Sequence, residues 1–391
     1  MKMAHSSSAA VVVGVGESEI GKVPHMSGLG LNAQAAKRAI EDAGLRPRDI
    51  DGLLTAYSFT EPYFMLGTVL AEYLGLKPAY CASVTVGGAT PASMLRHAVS
   101  AIAAGECTTV LVCAGENRAT GMSRDQAVAA LAAVGHPYHE APYGASIPAL
   151  YALVATRYMH EYGTTREQMA SVSVSARKHA SLHPNAHMRK PITIEDVLKS
   201  KPISDPLTVL DCCLISDAGG AFVVTSADRA ADCRHKSIHL LGSGEFHTHE
   251  HLVCADSLTR FGAVESGRQA FSTAGVTPND IDFAELYDCF SIVPIIELEE
   301  LGFCGRGEGG VFFAEGGASL GGKLPINTHG GMLAHAHAGA VGGLMGIIEA
   351  VRQLRGGQGE RQVHGAELAL VHNEGGILSS HCTLILGTQS A

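Results

Sequence analysis

Short apolar runs alternate with amphipathic, alanine-rich stretches along this chain. The pattern predicts strands joined by helices. The segment "AIEDAGLRPRDIDGLL", Ala39 to Leu54, reads as a helix end, a glycine cap, a proline turn and a strand. "AFSTAGVTPNDIDFAEL", Ala270 to Leu286, repeats it, with Ala39, Ala43, Gly44, Pro47, Asp49, Ile50 and Asp51 recurring as Ala270, Ala274, Gly275, Pro278, Asp280, Ile281 and Asp282. A second pair keeps the same order. "MLRHAVSAIAAGECTTVLVCAGENR" is a helix, a glycine stop and a strand, and "MGIIEAVRQLRGG" followed by "AELALVHNEGG" matches it near the C-terminus. The simplest account is two similar α/β halves, 1–235 and 236–391, each a mixed sheet with helices on its faces.

Between the matched segments lies different sequence, a helical and loop insertion of about 116–204. It holds the amphipathic "ALYALVATRYMHEYG" and a further helix that begins at Arg166. Thr164 or Thr165 can cap that helix, with Gln168 reaching back. Arg177, Lys178, Arg189, Lys190, Lys199 and Lys201 follow as a largely solvated set, a few of which can meet the phosphates of a large anionic cofactor.

Composition narrows the class. The 391 residues are 46% hydrophobic and 17% charged, with 46 glycines, which suits a buried α/β enzyme with many tight turns or an oligomer. The net charge of −10, without a long basic run, argues against nucleic-acid binding. Ten cysteines without a CxxC pair read as reduced thiols of a cytoplasmic protein. The N-terminus lacks the pattern of an export leader, and no apolar stretch is long enough to span a membrane. "GVGESEIG" does not match a dinucleotide loop, so NAD is not expected. "HTHEH" sets His247, His249 and His251 at strand spacing, a pattern able to bind a transition metal if all three face one side. It stands apart from the other motifs, and no metal site is assigned.

"SVTVGGATPASMLRHAV" reads as a strand feeding a small-residue turn and a helix N-terminus, the arrangement that often presents a nucleophile. With it go "SDPLTVLDCCLISDAGGAFVVTS", "ELYDCFSIVPIIELEELGFC", "NTHGGMLAHAHAGAVGGLMGIIEAVRQLRG" and "ALVHNEGGILSSHCTLILG". Together they resemble the sterol-carrier-protein-type branch of the thiolase superfamily over nearly the whole chain. That resemblance implies five α-β-α-β-α layers, one site built by loops of both halves, an acyl-CoA substrate and a dimer. Coenzyme A would enter as part of the substrate, with no bound cofactor.

The site positions depart from the family. The nucleophilic cysteine falls on Gly88, and no cysteine lies in "HNEGG". Thr90 is a weak nucleophile without an adjacent base, and Cys81 reads as a core residue. His337 takes the place of the family's histidine that holds the thioester oxygen, with Ala338 replacing the usual proline; its neutral N–H would serve an enolate oxygen. His335, two residues earlier, is a second candidate. Tyr287 replaces the histidine of the family's "HDCFS" and is a candidate acid/base, with an ordinary pKa near ~10. Gly88 and Gly376 are the backbone positions assigned to the emptied nucleophile and the oxyanion. Asp288, with Ser291, supports the turn. His372 and Asn373 support the terminal strand, and Glu374 is an outlying candidate base.

An oxyanion site without a thiolate suits retro-aldol cleavage of a 3-hydroxyacyl-CoA, the chemistry of thiolase-like aldolases of steroid side-chain degradation. Those enzymes act with a small zinc-ribbon/OB-fold partner, and this chain has no zinc-ribbon cysteines of its own. Two alternatives remain. One is an acetyl-CoA acetyltransferase using Cys81 or Cys289. The other is a non-catalytic acyl-CoA- or lipid-binding subunit.

Overall fold

A computed structural model of the protein describes residues 10–123, 125–127, 129, 134–144 and 146–389. The first nine residues, where an export leader would begin, lie outside them. The first half runs β1 (Ala10–Glu17), α1 (Gly28–Ala43), β2 (Gly52–Ala56), α2 (Leu66–Leu74), β3 (Tyr80–Val84), α3 (Thr90–Ala103) and β4 (Thr109–Asn117). The insertion carries α4 (Ile147–Tyr162), α5 (Arg166–Leu182), α6 (Ile194–Leu198) and the short strands β5 (Pro202–Ser204) and β6 (Leu207–Thr208). Strand β7 (Asp217–Ser226) returns to the sheet, and α7 (Ala227–Ala230) leads onward. The second half runs β8 (Ile238–His247), α8 (Ala263–Ala274), β9 (Phe283–Glu285), α9 (Val293–Glu300), α10 (Gly309–Ala314), α11 (Gly331–Ala334), α12 (Val341–Arg355), β10 (Leu368–Gly375) and β11 (Ser380–Gly387).

The duplicated signal is built twice in the same way. Helix α1 stops at Gly44, whose φ of 75° is the left-handed conformation that glycine adopts without a Cβ penalty; a 3-10 turn at Pro47–Asp49 precedes β2. Helix α8 stops at Gly275 with φ 70°, and Pro278–Asp280 precedes β9. In the insertion, Thr165 rather than Thr164 caps α5: its Oγ1 accepts from Gln168 N at 3.3 Å, and Gln168 Oε1 accepts from Thr165 N at 2.9 Å.

The strands are ordered β3-β2-β4-β7-β1-β8-β11-β10-β9. The first five belong to one half and the last four to the other. Among the described residues, the two sets join where β1 meets β8, at Val11–His239 and Val12–Ile238. Helices α3 and α12 pack on each other between the two sets, in a core that takes Val110, Val112 and Phe222 from one and Ala369, Val371 and Leu384 from the other. Helices α1 and α2 cover the outer face of the first set, and α8 with the insertion helices covers the second. These are the five expected layers. Strands buried on both faces explain why β1, β4 and β7 are nearly continuous apolar runs. "GVGESEIG" belongs to this packing: a Cβ on Gly14 or Gly16 would run into the α1 backbone. No helix among the described residues is long and apolar enough to cross a membrane.

Candidate active site

The turn between β3 and α3 presents Gly88. Thr90 Oγ1 donates to Gly87 O at 2.6 Å and accepts from Val86 N at 2.9 Å, so its hydroxyl is committed to the turn. Opposite stands Tyr287, just past β9, anchored by its N–H on Glu297 Oε2 at 3.0 Å. A Cβ on Gly88 would overlap the Tyr287 hydroxyl and ring, as well as the Glu374 carbonyl. The phenol therefore fills the space into which a side chain at position 88 would project. Burial, then the Cys289 thiol and the Glu374 carboxyl, push the Tyr287 pKa well above its usual value. The phenol stays protonated and can donate.

Helix α12 approaches this point through two glycines. A Cβ on Gly343 would come within 2.7 Å of Asn373 Oδ1 and 2.9 Å of Gly88 O; one on Gly342 would come within 2.7 Å of Met332 Sδ and 2.9 Å of His337 Cδ2. A small cavity is lined by Tyr287, Asp288, Met332, Gly342, Gly343 and Asn373. Asn373 Oδ1 is buried without a hydrogen-bond partner. Gly88, Tyr287 and Asn373 thus meet, and His337 adjoins them across Gly342. Gly376 is beside them as well: its N lies 2.8 Å from the position a Cβ on Gly87 would take.

His337 is partly buried, and its Nδ1 lies 3.2 Å from Leu214 O. A carbonyl only accepts, so Nδ1 carries the proton. Burial, then the Arg118 charge, lowers the His337 pKa to about 4, so the ring is neutral. A neutral ring with its proton on Nδ1 offers Nε2 as a lone pair. In this arrangement Nε2 is an acceptor, whereas the expected hold on the enolate oxygen needs a donor.

His335 points elsewhere. It is fully buried, neither ring nitrogen has a hydrogen-bond partner, and it stacks edge-on against His183 at 4.4 Å and His329 at 5.0 Å. The structure brings His335 to Glu17 and His183, not to Gly88. One ligand atom from each of these three lies within 4.8 Å of the others. Their chemistry does not fit a cation: Glu17 already binds the Arg352 guanidinium, and Asn185 N donates to His183 Nδ1 at 3.2 Å, which leaves the His183 proton on Nε2. His372 also turns away, bonding Thr383 Oγ1 at 2.8 Å and His381 Nδ1 at 3.1 Å. The "HTHEH" histidines diverge because β8 ends at His247: His247 bonds Ser380, His249 bonds Ile377 O, and His251 bonds Val134 O.

Asp288 accepts from Met332 N at 2.7 Å and Leu333 N at 3.4 Å, fixing α11. Burial raises its pKa to about 6. Glu374 is buried, and its Oε1 accepts from Tyr151 Oη at 2.5 Å and Cys289 Sγ at 3.3 Å. Burial raises its pKa to about 7. Tyr151 Oη also lies 3.1 Å from Gly376 O, so it has an alternative acceptor when Glu374 is protonated. Cys289 is held as a thiol by burial and the Glu374 charge. Cys81 is exposed on the β3 edge rather than in the core, with its sulfur against Gly67 of α2. Neither cysteine has the environment of a thiolate nucleophile.

Sequence reasoning missed Tyr151, Arg118 and the partners of His335. Tyr151 and Glu374 are 223 residues apart, and no local pattern joins them. Arg118 carried a faint signal as the first cation after the β4 strand pattern.

The chain is similar to known proteins over almost all its length. Residues 244–388 match the thiolase C-terminal domain-like family. The 17-hydroxy-3-oxo-4-pregnene-20-carboxyl-CoA lyase of Mycobacterium tuberculosis is 38% identical, covering 97% of this chain and 100% of that protein. An acetyl-CoA acetyltransferase of Methanothermobacter thermautotrophicus is 36% identical, covering 93% and 96%. The solved Ltp2-ChsH2(DUF35) aldolase superposes with a TM-score of 0.85 at 35% identity, covering 97% of this chain and 98% of that one. The chain belongs to the thiolase superfamily, in its sterol-carrier-protein-type thiolase-like branch.

Proposed function

We propose that this chain is a thiolase-superfamily aldolase that cleaves a 3-hydroxyacyl-CoA into a ketone or aldehyde and a shorter acyl-CoA. The carrying observation is the contact between Gly88 and Tyr287. A proton donor stands where thiolysis needs a thiolate, and a buried Cys289 thiol does not replace it.

The residues fit the steps. His337 Nε2 takes the proton of the β-hydroxyl. The hydroxyl oxygen becomes a carbonyl as the Cα–Cβ bond breaks, and that electron pair moves to the thioester oxygen as an enolate. The Tyr287 hydroxyl donates its proton to Cα, which yields the shorter acyl-CoA. The proton held by His337 then restores the phenol through solvent, so the cycle closes without net proton change. The backbone N–H groups of Gly88 and Gly376, which lie close together at the turn, serve as further donors to the enolate oxygen. Asn373 orients the substrate, and Asp288 holds α11 in place.

The assembly we propose is a homodimer joined through the β3 edge, with a small partner of the DUF35 kind. Among the described residues, strand β3 pairs with β2 alone. Tyr63, Phe64 and Tyr73 stand exposed before and along α2. The Ltp2 aldolase is itself a complex with ChsH2(DUF35). The setting we propose is the cytoplasm, where the ten cysteines stay reduced.

The test is product analysis. Purified protein, alone and with a DUF35 partner, is incubated with 3-hydroxyacyl-CoAs and with 3-oxoacyl-CoA plus free CoA. Release of a carbonyl compound and a shorter acyl-CoA from the first set is expected. Thiolysis of the second set alone would refute the reading and favour the acyltransferase.

A further inference from the structure

The proposed cleavage places a negative charge on the thioester oxygen, and neutral His337 has no N–H to offer it. Arg118 stands with Glu116 against the loop that carries that histidine. It follows β4 directly, and its side chain is only 10% exposed. Its Nε has no hydrogen-bond partner. The nearest carboxylate oxygen, Glu116 Oε2, is 3.8 Å away and is itself without a partner. The other Glu116 oxygen is taken by Phe59 N, and the guanidinium carbon stands 5.3 Å from the Phe59 ring centre.

The pair rests against the catalytic loop. A Cβ on Gly339, two residues past His337, would come within 3.0 Å of Glu116 Oε2. The Arg118 charge acts on His337 and on Cys213, whose backbone N bonds Cys289 O at 2.9 Å. A nearly buried guanidinium with an unused donor is costly unless a further acceptor completes it. The β-hydroxyl and the thioester oxygen are carried on carbons only two bonds apart. A base on the first therefore needs its oxyanion partner as a near neighbour, and Arg118 is the cation in that place.

We infer that Arg118, held by Glu116 and Phe59, hydrogen-bonds the thioester oxygen of the CoA substrate as it becomes an enolate. This rests on the acyl-CoA reading of the site. A planar, permanently charged fork suits a developing oxyanion better than a lone amide N–H. Glu116 keeps the fork in place without a close hydrogen bond, which leaves donors for the substrate.

The test is binding, so it does not depend on turnover. Two unreactive CoA thioethers are compared by calorimetry: anionic S-carboxymethyl-CoA and neutral S-acetonyl-CoA. Both carry the same phosphates. In R118M the Kd for the anionic analogue is expected to rise ~10–100-fold, and that for the neutral one to change less than ~3-fold. R118K is expected to lose less, again only with the anionic analogue, and it serves if R118M fails to fold. Equal losses for both analogues, or none, would overturn the inference, since the first places Arg118 on the CoA phosphates and the second places it on no ligand. If the unaltered protein binds neither analogue, the acyl-CoA reading falls and takes this inference with it.

Discussion

The Tyr287 hydroxyl occupies the space that a side chain on Gly88 would need. A side chain at position 88 and the phenol at position 287 therefore exclude each other. Tyr287→Phe keeps the ring and its packing while removing the proton donor. The expected result is a ~10²–10⁴-fold fall in kcat for carbonyl release, with a urea midpoint close to that of the parent protein.

Gly88→Ala meets both the phenol and the Glu374 carbonyl, so one neighbour must move. We expect a loss of about 1–3 kcal/mol in unfolding free energy, as for other overpacked cores. A Gly88→Cys variant faces the same obstruction and is expected to gain no thiolysis, measured as acyl transfer to free CoA.

The duplicated fold was legible because its signals are local. Gly44 and Gly275 end their helices in the left-handed conformation, and Pro47 and Pro278 open the turns that follow. Tyr287 stood out in the sequence, and it lies against Gly88 in the structure. The histidines were not legible. His335 and His337 are two residues apart, yet α11 ends between Ala334 and His335 and the chain turns one ring into the Glu17 cluster. Which nitrogen of His337 carries the proton depends on Leu214, 123 residues away. "HTHEH" misled because strand spacing holds only as far as His247.

Cys81→Ser is expected to leave carbonyl release within ~3-fold of the parent rate, since that sulfur packs on α2. Cys289→Ser keeps a donor to Glu374 and is expected to cost less than ~10-fold. An abolished rate in either would return a thiol to the mechanism.

Burial holds His179, His183, His337 and His381 at about 4, and His335 and His372 well below their ordinary value. Unfolding exposes them to ordinary values near ~6.5, so the unfolded chain binds more protons below that pH. Their contribution to stability is full above pH 6.5 and is lost as pH falls toward 4. Urea midpoints should drop across that window. Removing one titrating ring, as in His381→Asn, should flatten the slope by about 1.4 kcal/mol per pH unit.

Glu374 carries the opposite sign. Burial raises its pKa from 4.5 to about 7, so its contribution is present below pH 4.5 and fades as pH rises through 7. Glu374→Gln keeps contacts to Tyr151 and Cys289 without ionising. Its midpoint is expected to exceed that of the parent at pH 8.5 by more than at pH 6.

The central claim is carbon–carbon cleavage without an acyl-enzyme, and intact-protein mass spectrometry on quenched reactions tests it most directly. During turnover of a 3-hydroxyacyl-CoA, the account predicts accumulating carbonyl product and an unchanged protein mass at every time point. A transient mass increase equal to the acyl group, mapped to any cysteine, would contradict it.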